Sequence, residues 1–540
     1  MPKEDNKGVI RIESILGGQS LLSHFAAHDQ FRAALGIDPS QPINDSTQAK
    51  SIVSSGLLRP NGTVELSSGS DLVHAPMWME SNPKNGNVYV YDYAGSVYTI
   101  DGNFTAVTGL GDLNDGMSAK GNGCAYYDNY MYFSTDTTVA RYGPLDGTAA
   151  FTDDYWVTTL SKTRLTDNSG YPSQNRISTI TFPTHVLHRH SDGKLYIADV
   201  VDGKGTIHYI ATTKTTVEGD TDNGSTYNKV QVGYGLLPTA MESYGSDLVI
   251  AFYEGNASGF VTQSRAKVAF WDTTSTNVNK IVWVEFPDDY ISAMKNIDGI
   301  LYVASGRVKA DGFRVSRFVG GYTFEEVAFF GTGAMPFPDA MDGQSNQLLF
   351  GSYTDVPETA GCVYSLGLNN SKLGQGIFTP HRVTYTAAIS CVTSLYLSDN
   401  WNLGFLAPTV GWTTGASGVS TNGIDVRVAS GYDNAPPVFW SQMYRIGQPF
   451  KITKIRIPLA QAVAANHILI PKIYTDDGNG TTYTLTTINN TNYPNSERNI
   501  TYRLENVTGQ HNFWLELRWT GSAFMTVGLP ITIEYELTDD

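Results

Sequence analysis

Cysteine is nearly absent from this sequence. Cys124, Cys362 and Cys391 are the only three among 540 residues. None stands in a C-x-x-C pair, and an odd number so widely spaced makes no disulfide framework, so buried free thiols are expected, with a Cys362–Cys391 bridge as the alternative. Charge is scarce as well. Asp, Glu, Lys and Arg make up 16% of residues, against roughly 25% in an ordinary soluble domain. The balance is acidic, a formal net charge of -16. A field of that sign repels phosphate backbones, which sets nucleic acid aside as a partner. No apolar run approaches the roughly 18 residues that a membrane-spanning helix needs, so no membrane insertion is expected. No apolar stretch follows Met1-Pro2-Lys3-Glu4, so no secretory leader is expected.

Chemical signatures are missing too. There is no G-x-S-x-G elbow, no phosphate-binding loop and no S-x-D-x-G-x-T-W box. His24 and His28 have the i, i+4 spacing of a helical zinc pair, but Phe25 stands where a metalloprotease carries Glu. His188 and His190 share a face if 185–190 is a strand, and a hydrogen-bonding rim is the simpler reading. Acidic turns such as Asp112–Gly116, Asp220–Gly224 and Asp476–Gly480 do not fit the calcium-loop pattern. Asp288-Asp289 and Glu325-Glu326 offer carboxylates by composition only; sequence neighbours on a strand face opposite ways. No cofactor, no metal and no enzymatic activity are expected.

What is present is β-sheet. Aromatics are 12% of the chain, with 31 Tyr and 53 Gly, a composition suited to pleated surfaces and tight turns. One phrase recurs, a short strand with a large central residue. Its copies centre on Tyr89, Tyr132, Tyr196, Val249, Tyr302, Leu349 and Tyr396, at steps of 43, 64, 53, 53, 47 and 47 residues. That is the length of one four-stranded propeller blade. A sheet that cannot bury both faces alone does so by stacking around an axis. Residues 61–410 therefore read as a β-propeller of about seven blades, with six or eight as alternatives. The long second step holds a polar insertion at 160–174.

Residues 411–445 read as a linker or first strand. Beyond them, 446–540 show evenly spaced alternating strands, as in Phe513, Leu515, Leu517 and Trp519 on one face. This predicts an antiparallel β-sandwich of jelly-roll type. Residues 1–60 form an N-terminal arm whose apolar Leu21, Leu22, Phe25 and Phe31 must pack on something, by wrapping the propeller or docking on another chain. Aromatics crowd the junction: Trp401, Trp412, Tyr432, Trp440 and Tyr444. They are candidate contacts for sugar or a protein partner, or glue between domains.

The arm carries a resemblance. Gly17-Gly18-Gln19-Ser20, Asp29–Ser40 and Ser55–Pro60 are similar to the opening of virion structural proteins of tailed bacteriophages. Tyr444–Ile455 resembles sandwich modules on phage surfaces. The resemblance implies an arm, propeller and sandwich in that order, and a tail or baseplate part assembled in the host cytoplasm. It also implies anchoring through residues 1–60 and symmetric packing with copies of itself. It supplies no catalytic residue. A carbohydrate- or receptor-binding adhesin is the first alternative, and a propeller-type polysaccharide hydrolase or lyase the second.

Overall fold

The computed structural model is all-β. It describes residues 6–13, 31–35, 42–43, 52–53, 57–58, 62–66, 72, 74, 76–92, 94–100, 107–113, 123–134, 138–157, 186–201, 204–210, 230–256, 259–260, 265–275, 277–307, 312–330, 336, 338–344, 347–351, 363–367, 373–378, 388–395, 407–413, 422–428, 437–476, 481–494, 497–522 and 525–538. Helix among these is reduced to short 3-10 turns such as Val278–Lys280.

Seven antiparallel sheets follow one another along the chain. Their first strands are Pro76–Ser81, Gly123–Tyr127, Val186–Arg189, Leu236–Tyr244, Tyr290–Ile297, Met341–Gln344 and Ala388–Leu395. Each lies beside the first strand of the next sheet, and the seventh lies beside the first. The ring is closed with the first strands innermost, the arrangement of a β-propeller with seven blades. Tight hairpins make the steps short. Asp128-Asn129 and Asp298-Gly299 both take positive φ, the geometry of two-residue turns that match strand twist.

Among the described residues of the propeller, the apolar side chains are layered between neighbouring blades. Ala251, Val268 and Phe270 of blade 4 meet Ile291, Leu301 and Val303 of blade 5. Val88 and Val90 of blade 1 meet Leu66 and Ile424 at the seam with blade 7. Each blade thus buries its two faces on two different partners.

Six of the seven repeated phrases are second strands: Val88–Asp92, Tyr130–Ser134, Leu195–Val201, Asp247–Asn256, Ile300–Gly306 and Gln347–Gly351. The seventh is out of phase. Leu395 ends the innermost strand of blade 7, and Tyr396 lies outside the described residues. The second strand there is Ala407–Thr413. Alternating large residues suit any strand, so the pattern could not tell first from second. Blade 7 then continues through Asn422–Val428 and is completed by Gly62–Glu65, from the opposite end of the propeller segment, with Asp425 paired to Glu65 and Val428 to Gly62.

Two further sheets share one core. One has the order Lys7–Ile12, Ile531–Leu537, Phe450–Pro458, Asn499–Gly509. The other runs Phe31–Leu35, Val438–Ser441, Asn512–Trp519, Leu469–Thr475, Thr482–Thr484, with Tyr444–Arg445 also on Asn512–Trp519. Ile452, Ile455 and Ile533 of the first sheet face Phe439, Leu469 and Leu515 of the second, and Ile12 joins them. Full burial of such side chains contributes ~1.5–3 kcal/mol each.

The domain boundaries therefore differ from the sequence expectation. Within 1–60, Lys7–Ile12 and Phe31–Leu35 are edge strands of the two sandwich sheets. Leu57–Leu58 pairs with Val527–Gly528. The segment 411–445 is not a linker throughout: it carries the end of one blade 7 strand, the whole of another, and Val438–Ser441 of the sandwich. The propeller is inserted into the sandwich. Phe31–Leu35 and Val438–Ser441 pair antiparallel, Leu35 opposite Val438, so the chain leaves and returns side by side. The arm residues Leu21, Leu22 and Phe25, and the insertion at 160–174, lie outside the described residues.

Candidate functional site: a polar ring at the propeller axis

An innermost blade strand pairs on one side only. Its other edge faces the axis, with backbone groups that must find partners. The register places one residue of each blade at an equivalent rung. Glu80, Ala125, His188, Glu242, Lys295, Asp342 and Thr393 stand opposite Tyr89, Tyr132, Tyr196, Val249, Tyr302, Leu349 and Thr409. Five of these rung residues can carry charge, in a chain with little of it. In blades 1, 4, 5 and 7 the register slips by one residue just before the rung, at Pro76/Trp78, Pro238/Ala240, Ile291/Ala293 and Ile389/Cys391. Such bulges increase local twist and re-aim the following side chain.

The ring side chains reach from one blade to the next. Glu80 accepts the backbone N–H of Tyr126 in blade 2. His188 Nε2 lies 2.7 Å from Ser243 Oγ in blade 4 and 3.8 Å from Glu242 Oε1. Glu242 accepts the backbone N–H of Asn296 in blade 5. Lys295 Nζ donates to Asp342 Oδ1 of blade 6 at 2.8 Å. Asp339, just before the innermost strand of blade 6, accepts the N–H of Met79 in blade 1 at 2.7 Å. Blades 6 and 1 are not neighbours, so that bond marks a convergence of groups at the axis.

Electrostatics follows from this crowding. Burial pushes the Glu80 and Glu242 carboxyls up to about 7, against the pull of the Lys295 ammonium. Burial raises Asp339 well above the usual carboxylate value. Burial opposes the charge on Lys295 too, yet Asp342 and Glu242 outweigh it and hold its value above that of an ordinary lysine. Burial drives His188 down to about 3, with Lys295 adding to the effect. Lys295 still has 37% of its side chain open to solvent, so the axis is wet at this point. Among the described residues no three His, Cys, Asp or Glu side chains are grouped as a metal site would need.

The expected carboxylate pairs are engaged elsewhere. Asp288 Oδ2 accepts Ser305 Oγ at 2.7 Å and Arg314 Nε at 2.6 Å. Glu326 pairs with Arg314, and Glu325 with Arg317. Asp476 caps the N–H groups of Gln510 and His511.

A second polar cluster lies on the sandwich, opposite its core face. Glu516, with a side chain 1% exposed, contacts Arg518 Nε at 2.9 Å and Lys472 Nζ at 3.4 Å. It accepts hydrogen bonds from Tyr474 OH at 2.8 Å and Trp440 Nε1 at 3.0 Å. Burial works against its charge, but these donors and cations hold its carboxyl below the ordinary value. Tyr474 stacks on Trp514 with 5.1 Å between ring centres, and the Arg32 guanidinium lies 4.7 Å from the Trp514 ring centre.

Of the five junction aromatics, Trp440 alone is seen in this cluster, half-buried and bonded to Glu516. Tyr444 is buried in the sandwich core, 5.5 Å from Phe513. Trp412 stands on a blade 7 strand opposite Ile389 and Gly423. Trp401 and Tyr432 lie outside the described residues. Phe31 begins a sandwich edge strand, opposite Ser441. Of the axial ring, only His188 was among the residues singled out from the sequence, as part of a hydrogen-bonding rim. The signal of its five ionisable members is a polar residue seven to nine positions before a phrase centre, legible once the hairpin register is known; Ala125 and Thr393 do not follow it.

No protein-family model and no curated protein matches the chain. Solved structures do. The Cps50 (Swd1) beta-propeller domain of Myceliophteria thermophila matches over 67% of this chain and 98% of its own, at 10% identity and a TM-score of 0.40. The extracellular domain of a hybrid two component system from B. thetaiotaomicron matches over 87% of this chain and 57% of its own, at 10% identity and a TM-score of 0.38.

Proposed function

We propose that this chain is a structural, non-catalytic protein of a bacteriophage particle, tail- or baseplate-associated, with the propeller as a rigid platform. The observation that carries the reading is the strand order of the sandwich. Along the chain the strands cross repeatedly between the two sheets, from Val438–Ser441 to Phe450–Pro458 to Leu469–Thr475, and from Asn499–Gly509 to Asn512–Trp519 to Ile531–Leu537, while Leu469–Thr475 and Thr482–Thr484 stay in one sheet. Such repeated crossing between two sheets supports a jelly-roll-like reading, an architecture used by viral capsid and lectin domains. The phage-like runs in 17–60 and 444–455 point the same way. The axial ring supports a scaffold over an enzyme, because its polar groups are taken up in bonds between blades.

Anchoring through residues 1–60 takes a narrower form. Two strands of that segment belong to the sandwich itself, and the edge strand Lys7–Ile12, with Val9 56% exposed, is the part offered to a neighbouring virion protein or second copy. No helix among the described residues is long and apolar enough to cross a membrane. The test is mass spectrometry of nuclease-treated, gradient-purified particles from the source. Stoichiometric abundance beside capsid and tail proteins is the expected result, and absence from particles refutes the reading.

A second reading, an adhesin for host-surface glycan, is favoured by the aromatic and cationic side chains around Glu516. Retention on immobilised host envelope polysaccharide, lost in Trp440→Ala, would support it. No retention of the wild-type chain removes it.

A further inference from the structure

The hairpins joining first to second strands lie on one face of the ring and are stitched from blade to blade. Lys84 Nζ reaches Asn129 Oδ1 at 3.5 Å, Tyr127 OH donates to Gly193 O at 3.0 Å, and Asn296 Nδ2 donates to Ser243 O at 2.7 Å. Between blades 3 and 4 the stitch runs through two imidazoles, side chains that titrate near neutral pH.

A backbone carbonyl sets its direction. His190 Nε2 lies 3.2 Å from Ser246 O, which can only accept, so Nε2 carries the hydrogen. In the neutral ring Nδ1 is then bare and accepts the Ser243 hydroxyl, 2.9 Å away. The hydroxyl oxygen in turn accepts the Nε2–H of His188 at 2.7 Å. A single chain of bonds runs from His188 through Ser243 and His190 to the blade 4 turn. Charging His190 places a second hydrogen on Nδ1, and the Ser243 proton loses its acceptor. Charging His188 as well sets two cations against one hydroxyl.

We propose that His188, Ser243 and His190 form a latch between blades 3 and 4 that is closed while both rings are neutral and opens when acid charges His190. The groups facing it set the threshold. Glu242 of blade 4 favours a charge on His188, and Lys295 of blade 5 opposes it. Asp192 on its own turn and Asp247 on the blade 4 hairpin favour a charge on His190, and Lys194 opposes it. The Tyr196 ring packs edge-on against His190. Burial outweighs the acids at both rings and holds them neutral below the ordinary histidine range. The latch does not depend on the virion reading.

Hydrogen exchange with mass spectrometry on the full chain tests it, with rates corrected for the intrinsic effect of pH. Between about pH 7.5 and about pH 4 we expect a loss of protection of about tenfold in the hairpins 187–197 and 241–249. The blade 2 hairpin 123–134 should change little. His190→Gln keeps a donor and an acceptor without a titrating group, and should abolish the difference. Equal change in all three hairpins, or none, overturns the latch. Should that variant not fold, the ring nitrogen shifts of the wild-type histidines decide. Both neutral rings should carry the proton on Nε2 and titrate below about 6.5. A neutral ring protonated on Nδ1, or ordinary titration, overturns it.

Discussion

The two halves of the molecule solve burial in different ways. The sandwich has one continuous apolar cluster, with Phe450, Phe513 and Leu515 fully buried, to which strands from both ends of the chain contribute. Among the described residues the propeller shows no such centre. It divides its apolar residues among layers between neighbouring blades and brings carboxylates, the His188 imidazole and the Lys295 ammonium to its axis. Losing a core residue should therefore act on the whole sandwich, whereas a blade passes its loss mainly to the next blade. The comparison also assigns sensitivity: heat and cavities test the sandwich, pH tests the propeller.

The strongest test of that division is Phe513→Ala. The ring packs 5.5 Å from both Tyr444 and Phe450, and truncating a buried Phe costs ~3–5 kcal/mol. In calorimetry of the variant, the sandwich transition should fall while the propeller transition stays in place. Joint movement would show that the two halves unfold as one unit.

Lys295→Met should do the reverse. It leaves Glu242 and Asp342 without their shared cation. Breaking a buried pair costs ~3–5 kcal/mol. With 37% of the lysine side chain open to solvent, screening reduces the expected loss to about 2 kcal/mol. The loss should appear in the propeller transition alone.

The pH dependence sharpens the contrast. Glu80 and Glu242 are raised from 4.5 to about 7 in the folded chain. The folded state thus binds their protons more tightly, and stability on their account falls as pH climbs through that window. His188 acts oppositely: lowered from 6.5 to about 3, it removes stability as pH falls below 6.5. Glu242→Gln removes one carboxyl contribution, so the propeller should lose less melting temperature than wild type between about pH 5 and about pH 8. An unchanged slope would place the titration elsewhere.

The smallest effect is expected at Arg317→Gln. Its pair with Glu325 is largely exposed on that side, 53% for the glutamate, and such pairs contribute ~0–1 kcal/mol. A larger loss would mean that the outer edge of blade 5 matters more than its exposure implies.

Much of this architecture is legible in the amino-acid sequence. The spacing of Tyr89, Tyr132, Tyr196, Val249, Tyr302 and Leu349 marks six blades, because every blade must repeat one hydrophobic second strand. The alternation from Phe513 to Trp519 marks a strand with one buried face. The partner of Lys7–Ile12 was not legible. A six-residue strand states its own pattern, but nothing local says that Ile10 will lie opposite Ile533. The junction aromatics misled for a related reason. Tyr444 and Trp440 are close in sequence, yet one turns into the core while the other meets Glu516 on the opposite face.

The sequence by itself determined the all-β class, the blade-length repeat and the alternating strands of the sandwich, because backbone period and turn chemistry are local. Only the tertiary structure decided that the chain's first strand completes its last domain, that Gly62–Glu65 completes blade 7, and that Glu80, His188, Glu242, Lys295 and Asp342 meet around one axis. Those outcomes depend on register and ring closure, and a strand's hydrogen bonds specify its partner only once that partner is in place.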